Sequence, residues 1–553
     1  MKKTIFLFSF LFAVLSASAQ ISTEQRQKID NLFTDWKKPN SPGGAIGIIK
    51  NGEIVYSKTY GLASLEFQTP NTKETIFNIG SVSKQFTAMG IILLHLEGKL
   101  SIDDDIRKYL TDLPDFGEKI TIRNMLHHTS GLRSFHALLS IAGWRFDDAR
   151  NNEDLNRFMK KQQGLNFKPG EQFGYSNTNY MLMVNIIEKV TKQKFATWMQ
   201  ETIFKPLGMT KTYIQEDYME VKRHKATSYY TNRKKEYFKA SEFWGYIGSA
   251  NVHSNANDLL KWLQNFKTPQ KGWEKPFNLM TTQDNLNDGK ENEYAFGVLI
   301  RDYSGIKSVE HSGATGGYIS NIASFPEKNI SFVLLSNFQS SNIPQKSSKL
   351  TKILLDNKKV KKPKNEKFIS VKVPKKKLLK YVGSYWDSKD HYSRKIYMKN
   401  DTLRYFISKN KDYAMLPLGN HKFKRLSRGS KVIVEFNLNK KDSKMTITFN
   451  DKDAYHLKRY QPVKSTTKEL TLYSGTYYSP EVESTYTISY NKNKLNGNHI
   501  RHGEFGIQRV REGVLKTRSP LGQIRFIKNR KGIITGFFAS NGRVIDLWFK
   551  KQN

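Results

Sequence analysis

The stretch "FNIGSVSKQF", Phe77 to Phe86, holds a Ser-x-x-Lys pattern whose reading decides the fold. Ser81 and Lys84 are either a nucleophile with its base one helical turn away or the polar start of an ordinary helix. Spacing alone does not choose, because the pattern recurs at Ser304/Lys307, Ser408/Lys411 and Ser465/Lys468. A serine hydroxyl becomes a nucleophile only beside a base and in surroundings that tolerate developing negative charge. Ser81 follows Gly80, which permits close backbone approach and an unusual turn. It heads the apolar run "SKQFTAMGIILLHLEGK", where free N–H groups and the helix dipole favour an anion. Lys84 at i+3 falls on the same helix face, and burial would drive its ammonium toward neutrality, fit to act as a base. The other copies lack this setting. Ser304/Lys307 encloses Gly305 in a turn, Ser408/Lys411 sits in a charged hairpin, and Ser465/Lys468 lies between two repeats.

Two further stretches follow in order. "KPGEQFGYSNTNYML" gives Tyr175-Ser176-Asn177 just before a helix, and "VEHSGATGGYIS" gives His311-Ser312-Gly313 at the end of a strand. Read singly, Tyr175 is also a half-buried tyrosine capping a helix, Asn177 an N-cap, and His128 a packing residue near a turn. Tyr230-Thr231-Asn232 is a rival Tyr-x-Asn, but it lies in a charged, turn-like stretch without the Pro-Gly approach.

Taken together, "SVSK", "YSN" and "HSG" resemble the three ordered motifs of the serine β-lactamase and penicillin-binding-protein superfamily. The resemblance is to its class C-like serine hydrolases, which include esterases and D-aminopeptidases. "MLHHTSGL" (Met125 to Leu132) and "SNANDLLKW" are subsidiary similar stretches, and the likeness covers about Ser22 to Leu355. It implies that Ser81 attacks a carbonyl to form an acyl-enzyme, that Lys84 and Tyr175 share proton handling, and that Asn177 holds the substrate amide. It also implies an oxyanion hole from the backbone N–H groups of Ser81 and Ala314, beside Ser312 and Gly313. His311 stands where many relatives carry Lys. A lysine is a firm cation for a substrate carboxylate, whereas histidine is mostly neutral at pH 7. Ester, amide or D-residue peptide substrates are therefore expected ahead of penicillins. The alternatives are a D-Ala-D-Ala carboxypeptidase or β-lactamase, and a non-catalytic envelope-binding protein.

Outward from the motifs, "STEQRQKIDNLFTDWKK" reads as an amphipathic helix with Ile29, Leu32, Phe33 and Trp36 on one face. "GGAIGIIKNGEIVYSKTYG" reads as a hairpin turning at Asn51-Gly52. The texture is mainly helical from Ser81 to about Trp262, and strands return in "GIKSVEHSG", "GGYISNIASFPEKN" and "ISFVLLSNF". The expected class is α+β, an antiparallel sheet shared by N- and C-terminal strands, flanked by helices and carrying a helical subdomain. Beyond a Lys- and Pro-rich linker, residues 357–377, the sequence reads as strands only, with turns such as Asn493-Lys494. "YVGSY" (Tyr381 to Tyr385) is matched by "YSGTY" (Tyr473 to Tyr477), and Ile396 and Leu403 by Ile488 and Leu495 in the same register. Two small, lipocalin-like β-barrels are expected at 378–463 and 464–553, after a hydrolase domain at 20–356. A catalytic domain with two such barrels is similar to D-stereospecific aminopeptidases, in which the barrels help shape or gate the active site.

Composition narrows the setting. "MKK", the apolar run "TIFLFSFLFAVLS" and Ala17-Ser18-Ala19 read as a signal peptide at 1–19, cut after Ala19. A periplasmic or secreted protein without a stable membrane anchor is expected. With no cysteine among 553 residues, thiol catalysis, thiolate metal sites and disulfides are excluded. There is no HExxH, and His127 and His128 are adjacent, about 100° apart on a helix and poorly placed to chelate one metal. No metal and no cofactor are expected. The formal charge of +40 is uneven: 43 Lys and Arg against 15 Asp and Glu from Lys361 onward, and 47 against 35 before it. Without a nucleic-acid motif this reads as a solvated basic surface, with peptidoglycan or another anionic envelope polymer as the partner class and no nucleic acid. The substrate is expected to be a small ester or amide or a short peptide.

Overall fold

The computed structural model describes residues 21–355 and 368–552, apart from short stretches at 389–391, 409–410, 428–430, 440–441, 450–452, 463–465, 512 and 518–519. The expected signal peptide at 1–19 and the first part of the expected linker lie outside the described residues. Two compact units divide the chain. One holds the segments through Leu139 and from Trp144 to the linker; the other holds Ser140–Gly143 and Lys361–Asn553.

The first unit is α+β. Its six-stranded antiparallel sheet runs in the order Leu299–Asp302, Lys307–Thr315, Tyr318–Phe325, Ile330–Ser336, Gly44–Lys50, Glu53–Tyr60, so N- and C-terminal strands share one sheet. The first hairpin turns at Asn51 and Gly52, both at positive φ, with Lys50 opposite Glu53. "GAIGII" shows no alternation because both faces of its strand are covered, and all six residues are buried. Ile46 and Ile48 pack with Phe332 and Leu334 against Ile29, Phe33, Trp36 and Leu350 of the terminal segments. On the opposite face Gly47 lies under Leu260 of the helix Ala256–Gln264.

The N-terminal helix is shorter than its periodicity predicts. It is α-helical over Thr23–Leu32, with Ser22 and Gln25 forming a capping box, and continues as a 3-10 turn over Thr34–Lys37. The tighter winding still buries Phe33 and Trp36, while Leu32 is only partly covered. The helical subdomain includes Lys84–Leu96, buried almost all round, and Asn177–Thr191.

The second unit contains two closed antiparallel barrels of eight strands, Gly383–Asp387 to Asp453–Tyr460 and Gly475–Ser479 to Leu547–Lys551. The repeat read from sequence recurs in the pairing: Gly383 faces Ile396 in one barrel and Gly475 faces Ile488 in the other. Buried Tyr385 donates its hydroxyl to the Tyr381 carbonyl at 2.9 Å, and Tyr477 repeats this to Tyr473 at 2.8 Å. One turn slips by a residue from its expected place. Lys492 and Asn493, not Asn493 and Lys494, hold the positive-φ positions between paired Asn491 and Lys494.

Candidate active site

Ser81 does not stand on the α-helix itself. It lies in a 3-10 turn, Gly80–Ser83, and the α-helix begins at Lys84. Residues i and i+3 eclipse in 3-10 geometry, so this turn sets Lys84 directly beside Ser81. The turn is clamped from two sides. The Ile79 amide donates to the Val252 carbonyl at 3.0 Å, the Val252 amide to Ser83 Oγ at 3.0 Å, and the Gly80 amide to Asn78 Oδ1 at 3.0 Å. From the main sheet, Ser320 Oγ donates to the Ile79 carbonyl at 2.7 Å.

Glycine is required at two positions here. Gly80 has φ +53°, and a Cβ on it would lie 2.7 Å from the Ala314 amide nitrogen. A Cβ on Gly313 would lie 2.0 Å from the Ile79 carbonyl oxygen. The strand carrying His311 can therefore lie flush against the Ser81 turn. Its outer neighbour, Leu299–Asp302, pairs only with Lys307 to Glu310, and Ser312 and Ala314 are exposed beyond that cover.

Lys84 is fully buried, and its Nζ donates to Ser81 Oγ at 3.2 Å, Asn177 Oδ1 at 2.8 Å and the Ser249 carbonyl at 2.9 Å. Three acceptors match the three N–H donors of an ammonium. Aromatic faces complete the enclosure, with Nζ 4.9 Å from the Tyr175 ring centroid and 5.6 Å from that of Tyr180. Asn177 is the first residue of its helix, whose N-cap is Ser176, so its side chain serves Lys84 rather than a helix end.

The histidines hold this floor in place. His128, at φ +57° and buried, accepts at Nδ1 from the Ser176 amide at 3.2 Å and lies against Nδ2 of Asn179 at 3.1 Å, its ring 4.2 Å from that of Tyr175. It positions the Tyr175 segment, in keeping with its packing reading. His311 Nδ1 faces the Ser312 carbonyl at 2.7 Å, and Nε2 faces the Tyr294 hydroxyl at 3.0 Å. A carbonyl only accepts, so Nδ1 carries the proton and Nε2 accepts from Tyr294. Burial, with the Lys84 charge adding, pushes His311 down to about 3, and it is neutral at pH 7. Burial raises the Tyr294 phenol well above its ordinary value and keeps it a donor.

The sequence rivals resolve differently. Ser304 is a positive-φ turn residue, and Ser408 pairs with Lys411 across a hairpin. Asn232 bonds its own turn through the amides of Lys234 and Glu236, although Tyr230 does reach the cleft. No sequence motif marks Tyr294 or Ser249. Their signals were weak: a Tyr in "ENEYAFG", and Gly248 and Asn251, both at positive φ, flanking Ser249.

Above the floor opens a cleft of about 500 Å³, lined within the first unit by Ser81, Asn177, Phe146, Tyr230, Trp244 and Tyr246 among others. Its volume suits a small molecule or a short peptide segment.

Residues 29–351 match the family model described as Beta-lactamase. Protein flp of Staphylococcus aureus (strain MRSA252) is 30% identical over 343 residues, 59% of this chain and 66% of that protein. The chain thus spans just under two thirds of that relative's length. Penicillin-binding protein 4* of Bacillus subtilis (strain 168) is 27% identical over 454 residues, 77% of this chain and 97% of that protein. The D-aminopeptidase of Brucella anthropi is 26% identical over 299 residues, 54% of this chain and 56% of that protein.

Proposed function

Since the chain belongs to the beta-lactamase family of serine hydrolases, we propose that it cleaves an ester, an amide or a D-residue-containing peptide through an acyl-enzyme on Ser81. One observation carries this reading: a buried Lys84 whose Nζ reaches both Ser81 Oγ and Asn177 Oδ1 beneath an open cleft. Lys84 and Tyr175 share the proton: one of the pair, in its deprotonated form, takes it from the serine and returns it to the leaving group, and the charge the pair then carries lowers the free energy of the Ser81 alkoxide. The backbone N–H groups of Ser81 and Ala314 take the oxyanion, held to each other by the flush packing at Gly80 and Gly313. Asn177 Oδ1 stays on Lys84, and its amide nitrogen remains for the substrate. The Brucella anthropi D-aminopeptidase supports the D-residue amide as one substrate type. Neutral His311 supports substrates that need no carboxylate capture by the third motif.

The test is covalent labelling of the mature protein with a fluorophosphonate and location of the adduct by mass spectrometry. An adduct on Ser81 that disappears in Ser81→Ala is expected; no adduct, or one that survives the substitution, sinks the reading. The leader at Met1–Ala19 supports export, and sequencing the secreted form should find Gln20 as its first residue. A first residue upstream of the leader's small-residue site would refute that part.

A further inference from the structure

The third motif offers the cleft no cation, yet a cation is present on another wall. Among the described residues Arg150 is the only Lys or Arg lining the cleft, and it is 7% exposed. Its backbone pairs with the segment that bears Trp244, with Arg150 N donating to the Phe243 carbonyl at 3.1 Å and Gly245 N to the Arg150 carbonyl at 2.8 Å. Its guanidinium carbon lies 5.8 Å from the Trp244 ring centroid. The indole is in turn fixed by its Nε1–H donating to the Phe146 carbonyl at 3.1 Å.

A guanidinium carries five N–H donors. Arg150 uses Nη2 on the Arg145 carbonyl and Nε, at 3.5 Å, on the Asp148 carbonyl, both neutral acceptors. Among the described residues none of its ion pairs falls within 4 Å; the carboxylates of Asp148, Asp154 and Asp147 act on it only at longer range, and burial still outweighs them. Among the described residues no Asp or Glu lines the cleft. A buried charge ordinarily finds a counter-charge, because desolvating it alone is costly. Here the described residues supply none in contact, and Arg150 lines the same cleft as Ser81.

We propose that Arg150 binds a carboxylate carried by the substrate, with the substrate's apolar body against Trp244, Phe146 and Tyr246. This rests on Ser81 being the nucleophile of the cleft. It also narrows the D-residue amides to those that carry a carboxylate, since among the described residues the lining offers no acidic partner for a free α-ammonium. A planar guanidinium beside an indole can offer a two-pronged bond to a carboxylate, a geometry that an ammonium lacks.

The test compares p-nitrophenyl pentanoate with mono-p-nitrophenyl glutarate, esters of equal chain length that differ by a terminal carboxylate. A second pair places the carboxylate on the leaving group, as phenyl butyrate against 4-butyryloxybenzoate. The full-length protein is expected to prefer the anionic member of one pair by about tenfold or more in kcat/KM, the scale of a charge-assisted bond. Arg150→Gln should abolish that ratio, and Arg150→Lys, which keeps the charge and guards against misfolding, should restore part of it. No preference in either pair, or a preference that survives Arg150→Gln, overturns the proposal. Binding to Ser81→Ala by calorimetry separates the two readings. Tighter binding of the anionic ester, dependent on Arg150, upholds the carboxylate site even if turnover fails. Equal binding of both esters overturns it even if Ser81 labels.

Discussion

On the floor of the cleft, Lys84 Nζ meets three acceptors and both ring nitrogens of His311 are bonded; on its wall, Arg150 meets two backbone carbonyls and Phe146 is 83% exposed. A buried polar network with each member bonded has one low-energy arrangement, which suits groups that must meet a reacting carbonyl at fixed distances. A wall with spare donors and exposed rings can take on a ligand's own polar groups. The difference teaches where to expect rate and where to expect choice. Floor substitutions should cut turnover of every substrate alike, and wall substitutions should reorder substrates.

The largest effect expected is for Lys84→Ala. It removes the cation beside Ser81 and leaves Asn177 Oδ1 and the Ser249 carbonyl without their donor. Turnover of any ester that the protein cleaves should fall by about 10²–10⁴-fold, the scale of a lost acid-base partner. Steady-state assays with two unlike esters check this. A fall confined to one ester would move Lys84 from the floor to the wall and break the division.

Acid should loosen the floor next. His311 and buried His253, next in sequence to the Val252 that clamps the Ser81 turn, are each pushed down to about 3 by burial, so both are neutral when folded, whereas an unfolded chain protonates them near pH 6.5. The unfolded state then holds more protons between those limits, so stability is full above about pH 6.5 and falls as pH drops toward 3. At about 1.4 kcal/mol per pH unit per histidine, roughly 2–4 kcal/mol should vanish between pH 7 and pH 5. Urea midpoints at the two pH values measure it, and His311→Gln should remove one histidine's share of the slope. A midpoint that does not move would mean that His311 takes a proton in place, and the floor is not saturated.

A smaller loss, about 1–3 kcal/mol, is expected for Gly80→Ala, which sets a Cβ 2.7 Å from the Ala314 amide nitrogen at a φ of +53°. Thermal unfolding gives the stability term, and kcat should fall along with it because Ala314 must shift. Lost stability with unchanged kcat would show that the flush contact serves folding alone.

Much of the floor was legible because it is local. Ser81 and Lys84 are three residues apart, Tyr175 and Asn177 two, and each motif comes with its own turn or cap. The Asn51-Gly52 hairpin and the barrel register at Ile396 and Ile488 were readable for the same reason, one from turn chemistry and one from repetition. What escaped was set by distant parts of the chain. The Ser249 carbonyl that holds Lys84 is 165 residues away, and the neutrality of His311 comes from burial beneath Tyr294. A histidine's ordinary pKa already leaves His311 mostly neutral at pH 7; the fold makes it neutral far into acid. Arg150 had no signature at all, since an arginine in "FDDAR" reads as one more surface charge among 90 basic residues.

The smallest effect, and the sharpest for the comparison, is expected for Trp244→Phe. A phenyl ring keeps a face for Arg150 but loses the Nε1–H bond to the Phe146 carbonyl, one neutral hydrogen bond worth about 1 kcal/mol. Stability should drop by about that much or less. The Phe146 segment, freed from its tether, should then change how bulky acyl groups rank, shifting kcat/KM ratios among them by about 2–5-fold, as a contact of roughly 1 kcal/mol allows. A series of p-nitrophenyl esters from acetate to octanoate reads the ranking directly. If Trp244→Phe instead lowers all members by one common factor, the wall transmits to Ser81, and rate and choice are not separable in this cleft.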